Sequence, residues 1–136
     1  MSSISTIALS GMNAAARRLE VSASNVANVT TFGALPNADG TVPAGAPQAY
    51  APLELVQTAS AGGGTQTTVT TTTPSTTAVS DPQASFANQN GLVAAPNVDL
   101  TLALVSQVIA SDAYAANATV MKVDDRMSKM LLNITA

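Results

Sequence analysis

The side chains that carry most catalytic and metal chemistry in proteins are scarce in this sequence. None of its 136 residues is Cys or His, which excludes thiolate nucleophiles, imidazole bases and the metal sites built from these ligands. Asp and Glu together number eight and are spread thinly along the chain, so a pocket of paired carboxylates is not expected. The sequence therefore predicts a protein that is not an enzyme and that holds no metal or cofactor.

One acidic pair, Asp124 and Asp125, is followed closely by Arg126 and Lys129. Adjacent residues of a helix point about 100° apart, and no third ligand is evident nearby, so the pair is a poor metal site or acid–base pair. A solvated helix face with ion pairs between neighbouring turns is the simpler interpretation.

Two other motifs carry weak chemical signals. Residues 62–64 are three successive Gly, but they lack the Lys and the following helix that a phosphate-binding loop requires, which indicates a flexible loop. Three Asn-x-Thr sequences begin at Asn28, Asn117 and Asn133 and match the glycosylation acceptor pattern. They lie on or near predicted helices rather than in exposed loops, so glycosylation is not expected.

The distribution of charge limits the classes of partner. Lys and Arg together number five, the net charge is −3, and no basic residue occurs between Arg18 and Lys122. Nucleic acid requires several phosphate-neutralising cations and anionic membranes attract clustered basic residues, so neither nucleic acid nor direct lipid binding is expected. A surface with so little charge tends toward self-association.

The elements that position these residues are two predicted helices, one at each end of the chain. Residues 3–29 contain no Pro, and their seam residues recur at alternating spacings of four and three, which is typical of an amphipathic helix. The small members of this seam would let a second helix approach closely. The seam consists of Ala8, Met12, Ala15, Leu19, Ser22, Val26 and Val29.

The second predicted helix covers about residues 98–134, and it contains neither Pro nor Gly. At 1.5 Å per residue it would run for roughly 55 Å, which is longer than a domain of this size can cover. Pro96 precedes it, and Asn97 or Asp99 is available as the N-cap. Its apolar stripe consists of Val98, Leu102, Val105, Ile109, Ala113, Ala116, Val120, Val123, Met127, Met130 and Ile134.

The two apolar stripes permit two interpretations. They could pack together as the core of a small antiparallel helical domain, which is the common arrangement among globular proteins. Between Leu100 and Val108, however, the second helix is apolar on more than one face, and a two-helix hairpin cannot cover several faces. This pattern favours contacts with neighbouring molecules.

The middle of the chain holds nearly all the Pro and Gly, together with a Thr-rich run over residues 62–74. Residues 49–57 and 65–73 are compatible with β-strands, and residues 37–40 resemble a turn. The sequence therefore predicts a mainly α fold, in which the terminal helices pair as a coiled-coil-like unit around an irregular middle with a few short strands and loops. The predicted regions are 1–33, 34–95 and 96–136.

A motif at the end of the first helix carries a family resemblance. Residues 25–33 read N-V-A-N-V-T-T-F-G, which resembles the N-x-A-N-x-x-T-x-G signature of the flagellar rod and hook family. The segments that begin at Asn97, Ala113 and Asp124 look like the closing helix of the same family. Total length and the short motifs between Asp81 and Asp99 look most like its proximal rod members.

This resemblance implies a structural subunit of the bacterial flagellar basal body that polymerises helically through its terminal helices and transmits motor torque. It implies type III export without a cleaved signal peptide and a position that spans the periplasm. The implied partners are copies of itself, other rod subunits and the membrane-ring or export-gate base. The expected assembly interface comprises Met12, Leu19, Asn25, Asn28, Gly33, Asn97, Val105, Ile109, Tyr114, Asn117, Val120, Val123, Met127 and Met130.

Two alternatives come from other functional classes. A cytoplasmic helical adaptor or export chaperone would form a stable soluble dimer with both helices already folded. A small enzyme with carboxylate chemistry would need a pocket that contains pairs of Asp or Glu, which the thin spread of acidic residues disfavours.

Overall fold

A computed structural model describes residues 3–37 and 39–134 of the chain. In the described residues, one helix precedes and one follows four short strands, which agrees with the general shape that the sequence predicts. In chain order the elements are α1 (Ser3–Ala27), β1 (Leu53–Ala59), β2 (Thr65–Thr71), β3 (Thr76–Ser80), β4 (Leu92–Pro96) and α2 (Leu100–Ile134).

α1 ends two residues earlier than the seam predicts. The side-chain amide of Asn28 donates to the carbonyl of Ser24 at 2.9 Å, and the backbone N–H of Val29 bonds to the carbonyl of Val26 rather than one turn back. The β-branched residues that follow disfavour further helix. The chain therefore leaves α1 through a tight turn and becomes extended.

α2 begins at Leu100 because Asp99 caps it. The Asp99 carboxylate accepts the backbone N–H of Leu102 at 2.9 Å, which satisfies one of the free donors in the first turn. Asn97, the other candidate cap, bonds elsewhere, with its side-chain amide donating to the carbonyl of Pro74 at 2.9 Å. Asn97 thus ties the start of α2 to the middle of the chain.

α1 and α2 pack antiparallel along small or polar residues spaced seven apart. Ser22 donates its hydroxyl to the carbonyl of Ala103 near one end of the pair, and Ser5 donates to the carboxylate of Asp124 near the other. A seven-residue spacing keeps the same face of each helix toward its partner, and small side chains permit a short interaxial distance. On α2 these residues, called here the inner row, are Ala103, Ala110, Asn117 and Asp124.

This packing corrects the hairpin-core interpretation. On α1 the predicted seam is partly inside, since Ala8, Ala15 and Ser22 are buried whereas Leu19 is exposed. On α2 the large apolar residues of the predicted stripe are about half exposed or more, whereas Ala103 and Ala110 are buried. Small residues form the contact because they allow the two backbones to approach, and the large side chains are left outside.

β1 and β2 form an antiparallel hairpin in which Leu53 pairs with Thr71 and Ala59 with Thr65. The strand-compatible run 65–73 agrees with β2, whereas β1 begins four residues later than the predicted run 49–57. The hairpin lies against α1: the Thr65 backbone N–H donates to the Ser10 hydroxyl at 3.1 Å, and Arg18 donates to the side chain of Gln57. It therefore covers a second side of α1.

β3 and β4 form a separate antiparallel pair that the sequence does not predict, with Thr76 opposite Pro96 and Ser80 opposite Leu92. β4 is the most buried strand, and Val93 is completely enclosed. Gly33, at the end of the motif after α1, pairs with Ala94 of β4 through two backbone hydrogen bonds. The core of the middle region thus forms around β4.

The predicted turn at residues 37–40 has the expected closing contact, because the Gly40 N–H donates to the carbonyl of Asn37 at 2.9 Å. Gly40 has a φ of 81°, a conformation that favours glycine. Thr41 bonds the carboxylate of Asp39 through its hydroxyl and its backbone N–H, and both contacts lower the pKa of Asp39. Ala38, which falls within this predicted turn, lies outside the described residues.

Candidate assembly interface

The solvated, ion-paired helix face that the sequence predicts for the acidic pair is correct for Asp125 and wrong for Asp124, because α1 packs over Asp124. Asp124 is buried against α1, where it accepts the Ser5 hydroxyl. Asp125 is exposed and accepts Lys129 Nζ at 2.6 Å, one turn further along α2. Within residues 3–37 and 39–134, no group of three or more acidic, His or Cys side chains is arranged to hold a metal ion. In the same ranges, no helix has the length and apolar character required to cross a membrane.

One side of α2 exposes large apolar side chains in two groups, Leu102, Val105 and Ile109 near its start and Val120 and Val123 further along, with the smaller Ala116 between them. Leu102, Ile109 and Val123 are 63%, 48% and 47% exposed, and each lies one residue before a member of the inner row. Val105 and Val120 flank these residues and are also about half exposed. The set is called here the outer stripe and comprises Leu102, Val105, Ile109, Ala116, Val120 and Val123.

The first three turns of α2 expose apolar side chains on further faces. Leu104 and Val108 are exposed on the side of the helix away from Leu102, and Leu100 is exposed at the start. The sequence prediction of a helix that is apolar on several faces over residues 100–108 is therefore confirmed. One partner helix, α1, covers only the face that contains Ala103.

The C-terminal part of α2 extends beyond the described start of α1. Ser5 lies beside Asp124, so residues 125–134, called here the tail, project past this contact. At 1.5 Å per residue the tail is about 15 Å long. Met127, Met130 and Ile134 are all substantially exposed on it.

The motif after α1 has a physical role inside the monomer. The Asn25 side-chain oxygen accepts the Leu53 backbone N–H at 2.9 Å, and its amide donates to the Leu53 carbonyl at 2.8 Å. The Tyr50 hydroxyl donates to the same Asn25 oxygen at 3.0 Å. Asn25 therefore pairs with the first residue of β1 as a neighbouring strand would, and it fixes the hairpin against α1.

The rest of the motif shapes the exit from α1. The Thr31 hydroxyl donates to the side-chain oxygen of Asn28, and the Thr31 carbonyl accepts the Tyr50 backbone N–H at 3.0 Å. Gly33 has no room for a side chain, since a Cβ there would lie 2.7 Å from the carbonyl oxygen of Pro47. The sequence identifies these residues as a family signature, but their hydrogen-bonding role depends on contacts with residues far along the chain.

The fourteen residues predicted for the assembly interface fall into two groups. One group is exposed: Leu19, Val105, Ile109, Tyr114, Val120, Val123, Met127 and Met130. The other is half-buried or buried and consists of Met12, Asn25, Asn28, Gly33, Asn97 and Asn117. Within the second group, Asn25, Asn28, Gly33 and Asn97 organise the fold as described above, and Asn117 lies against Gly11 on α1. A role in assembly remains a prediction for both groups.

Two cavities lie along α1, between the hairpin and α2. The larger has a volume of about 470 Å³ and is lined by Val21, Leu53, Leu102 and Ser106, among others. The smaller, of about 240 Å³, lies nearer the middle of the helix pair, beside Gly11 and Asn117. Arg18 borders both cavities.

Two family models match the helical ends. The model described as Flagella basal body rod protein matches residues 6–34, which contain most of α1 and the whole Asn25 to Gly33 motif. The model described as Flagellar basal body rod FlgEFG protein C-terminal matches residues 89–134, which contain β4 and α2. Together the two matches cover more than half of the chain. Comparison with individual curated proteins gives no match.

Proposed function

Because this chain belongs to the flagellar basal-body rod protein family, we propose that it assembles into the rod by packing the outer stripe of α2 against neighbouring subunits. The family is structural, is located in the basal body and assembles with other rod and basal-body proteins. It is not known for catalysis, in keeping with a chain that has neither Cys nor His.

The exposed outer stripe is the observation that carries the proposal. An isolated exposed Leu is ordinary, but two groups of large apolar side chains along one side of a helix mark an interaction surface. Completing the burial of each half-exposed Leu, Ile or Val contributes about 1 kcal/mol. A contact of this kind is repeated in every subunit of a polymer. The small burial energy of each side chain is therefore summed over many subunits, and the sum can hold the assembly together.

The finer assignment is the proximal part of the rod, as in the proximal rod protein FlgC. It is supported by the D-P, N-G-L-V and P-N-V-D sequences that precede α2. In this proposal the polymer is helical, spans the periplasm, transmits torque toward the hook and contacts the membrane-ring or export-gate base. Export occurs through the flagellar type III apparatus without cleavage of a signal peptide.

Fractionation of flagellated cells tests this function directly. An epitope-tagged chain that replaces the native copy is expected to remain with purified basal bodies after detergent removes the membrane. Its mass should equal that of the uncleaved sequence. A chain found only in the cytoplasm as a stable dimer would contradict the proposal and favour the adaptor or chaperone alternative, and sedimentation would identify that dimer.

A further inference from the structure

The hairpin of β1 and β2 is held firmly to α1 at its base. Asn25 makes three hydrogen bonds there, two with the backbone of Leu53 and one with the Tyr50 hydroxyl. Pro52, immediately before β1, is among the largest completely buried side chains of the described residues. The base of the hairpin is therefore a fixed point on the C-terminal part of α1.

Away from this base, the hairpin is bonded to α1 only through side chains of the helix. The Thr65 backbone N–H donates to the Ser10 hydroxyl, and Arg18 donates to the side chain of Gln57, both at 3.1 Å. Over residues 3–37 and 39–134, no hydrogen bond between backbone groups joins the hairpin to α1. The backbone bonds of β1 lie within the hairpin, with β2, and they would survive if the hairpin moved as one unit.

The turn of the hairpin rests directly on α1. A Cβ at Gly64 would overlap the Ser10 hydroxyl, and a Cβ at Gly63 would lie 3.2 Å from Cδ1 of Ile7. The absence of side chains at these two positions permits the close approach. This contact is called here the latch, and it comprises Ile7, Ser10, Gly63, Gly64 and Thr65.

The space between the base and the latch is incompletely filled. The two cavities of about 470 and 240 Å³ lie there. Leu53, Leu55 and Val69 of the hairpin are only half-buried. Burial of apolar area is the main favourable term between packed elements, so an element with few buried apolar contacts opens at low cost.

The larger cavity is continuous with the outer stripe. Leu102 belongs to the outer stripe and also lines this cavity, as does Val21 of α1. A second copy that packs on the outer stripe therefore reaches the edge of the space beneath the hairpin.

Resting on the proposed rod function, we propose that the hairpin is a strap that opens about its base at Asn25 when subunits assemble. In the free subunit the latch holds the strap over α1. Opening breaks the two bonds made by Ser10 and Arg18 and leaves the helix pair and the β1–β2 pairing intact. It uncovers the side of α1 that contains Val21 for the second copy on the outer stripe.

Thiol labelling tests whether the latch controls opening, since the chain has no native Cys. Val21→Cys places a thiol in the larger cavity, at a position that is 8% exposed. Adding Gly64→Ala should raise the rate of its alkylation by iodoacetamide about fivefold, the equilibrium equivalent of one lost hydrogen bond. Circular dichroism confirms that the helices remain.

Gly45→Ala is the matched control for this labelling. Gly45 and Gly64 have φ values of 80° and 84°, so Ala is equally strained at both, but a Cβ at Gly45 meets nothing within 4 Å. Alkylation of Val21→Cys should keep its original rate in this control. Equal rates in the Gly64→Ala and Gly45→Ala variants would contradict the latch.

A disulfide across the latch tests the role of opening in assembly. Ser10→Cys and Gly64→Cys place two Cβ atoms about 3.2 Å apart, close to the separation in a disulfide. The oxidised variant should sediment as a monomer under conditions in which the wild-type chain associates, and reduction should restore association. Val56→Cys with Thr68→Cys joins opposite residues of β1 and β2 without fixing the hairpin to α1, and this control should associate in both states.

The outcomes separate the strap from the proposed function. If the oxidised latch variant associates as the wild-type chain does, the strap proposal is wrong and the rod function stands. If the wild-type chain neither associates nor enters basal bodies, both proposals fail. The labelling experiment measures opening in the monomer, so it can contradict the strap whether or not the purified chain associates.

Discussion

Two neighbouring faces of α2 have the same seven-residue spacing but differ in their exposure to solvent. The inner row contains Ala103 and Ala110, which are buried against α1, and Ala110 is only 2% exposed. The outer stripe contains Leu102 and Ile109, each one residue earlier in sequence, and both are largely open to solvent. The smaller side chains are therefore inside and the larger ones outside, in contrast to the usual arrangement in a globular core.

In the proposed rod assembly, the monomer and the polymer therefore use different surfaces of one helix. The largest completely buried side chains of the described residues are Val93 and Pro52, and both belong to the middle region rather than to the helix pair. The inner row permits close backbone approach and fixes the register of α1 on α2. The outer stripe leaves large apolar side chains of α2 exposed, and the proposed assembly would cover them.

The largest effect is expected from a charge on the outer stripe. Val120 is half exposed in the monomer, so Val120→Asp can keep its carboxylate in water and, through loss of the buried half of the Val side chain, should lower the unfolding free energy of the monomer by about 1 kcal/mol. At an assembled contact the same carboxylate would be buried without a partner, at a cost of several kcal/mol. We expect the variant to be exported and to be missing from basal bodies.

Lys122→Ala is the control for this experiment. Lys122 is only two residues from Val120, but helical geometry turns it about 160° away from the stripe. It should leave motility and basal-body composition unchanged. Normal rods built from the Val120→Asp protein would mean that the outer stripe is not an assembly interface.

A smaller effect on the fold is expected from enlarging the inner row. Ala110→Leu inserts three extra carbon atoms between α1 and α2 and should lower the free energy of unfolding by about 3 kcal/mol. Ala116→Leu makes the same change on the outer stripe and should leave the monomer within about 0.5 kcal/mol of wild type. Urea unfolding of both variants measures the difference. Equal destabilisation would contradict the assignment of the two faces.

Substitutions in the motif after α1 should lower the stability of the monomer, as substitutions in the inner row do, because the contacts of the motif lie inside the monomer. Gly33→Ala places a Cβ against the backbone of residues 47–49 and should destabilise the chain by about 2 kcal/mol. Gly62→Ala is the matched control, since a Cβ at Gly62 meets nothing within 4 Å. If Gly33→Ala blocks assembly while the thermal midpoint stays unchanged, Gly33 acts in an intermolecular contact instead.

The helices could be predicted from the sequence because their signals are local. Pro-free segments with regular apolar spacing place α1 and α2 within two residues of their observed starts and ends. The sequence does not single out β3 and β4, although they pair across a short connection, because neither strand shows a regular alternation of apolar and polar residues. The bridge between Gly33 and Ala94 joins residues about sixty apart in sequence, and a contact at that separation leaves no local signal.

The sequence also does not show which of the two faces of α2 packs against α1. Periodicity identifies a stripe of large apolar residues, and the ordinary expectation is that such a stripe packs inside. Here the alternative row of Ala103, Ala110, Asn117 and Asp124 has the same spacing, and only the geometry of α1 selects it. Asn25 was recognised as part of a family motif, but its pairing with Leu53 required the structure.

The smallest effect that still distinguishes the two faces is expected at Ser22. Its hydroxyl donates to the carbonyl of Ala103 at 2.5 Å, and this bond fixes the end of the inner row at the start of α2. Ser22→Ala removes the donor and leaves a buried carbonyl with only its helical partner, which should cost about 1 kcal/mol of monomer stability. Since Ser22 is 4% exposed, it has no direct access to a neighbouring subunit. The free energy of unfolding measured in urea should therefore fall by this amount, while export and incorporation into basal bodies continue.

Ser3→Ala is the control, because Ser3 is exposed in the first turn of α1 and should leave the unfolding midpoint unchanged. Loss of incorporation without loss of stability in Ser22→Ala would show that the inner row also serves assembly, and the separation between the two faces of α2 would then be wrong.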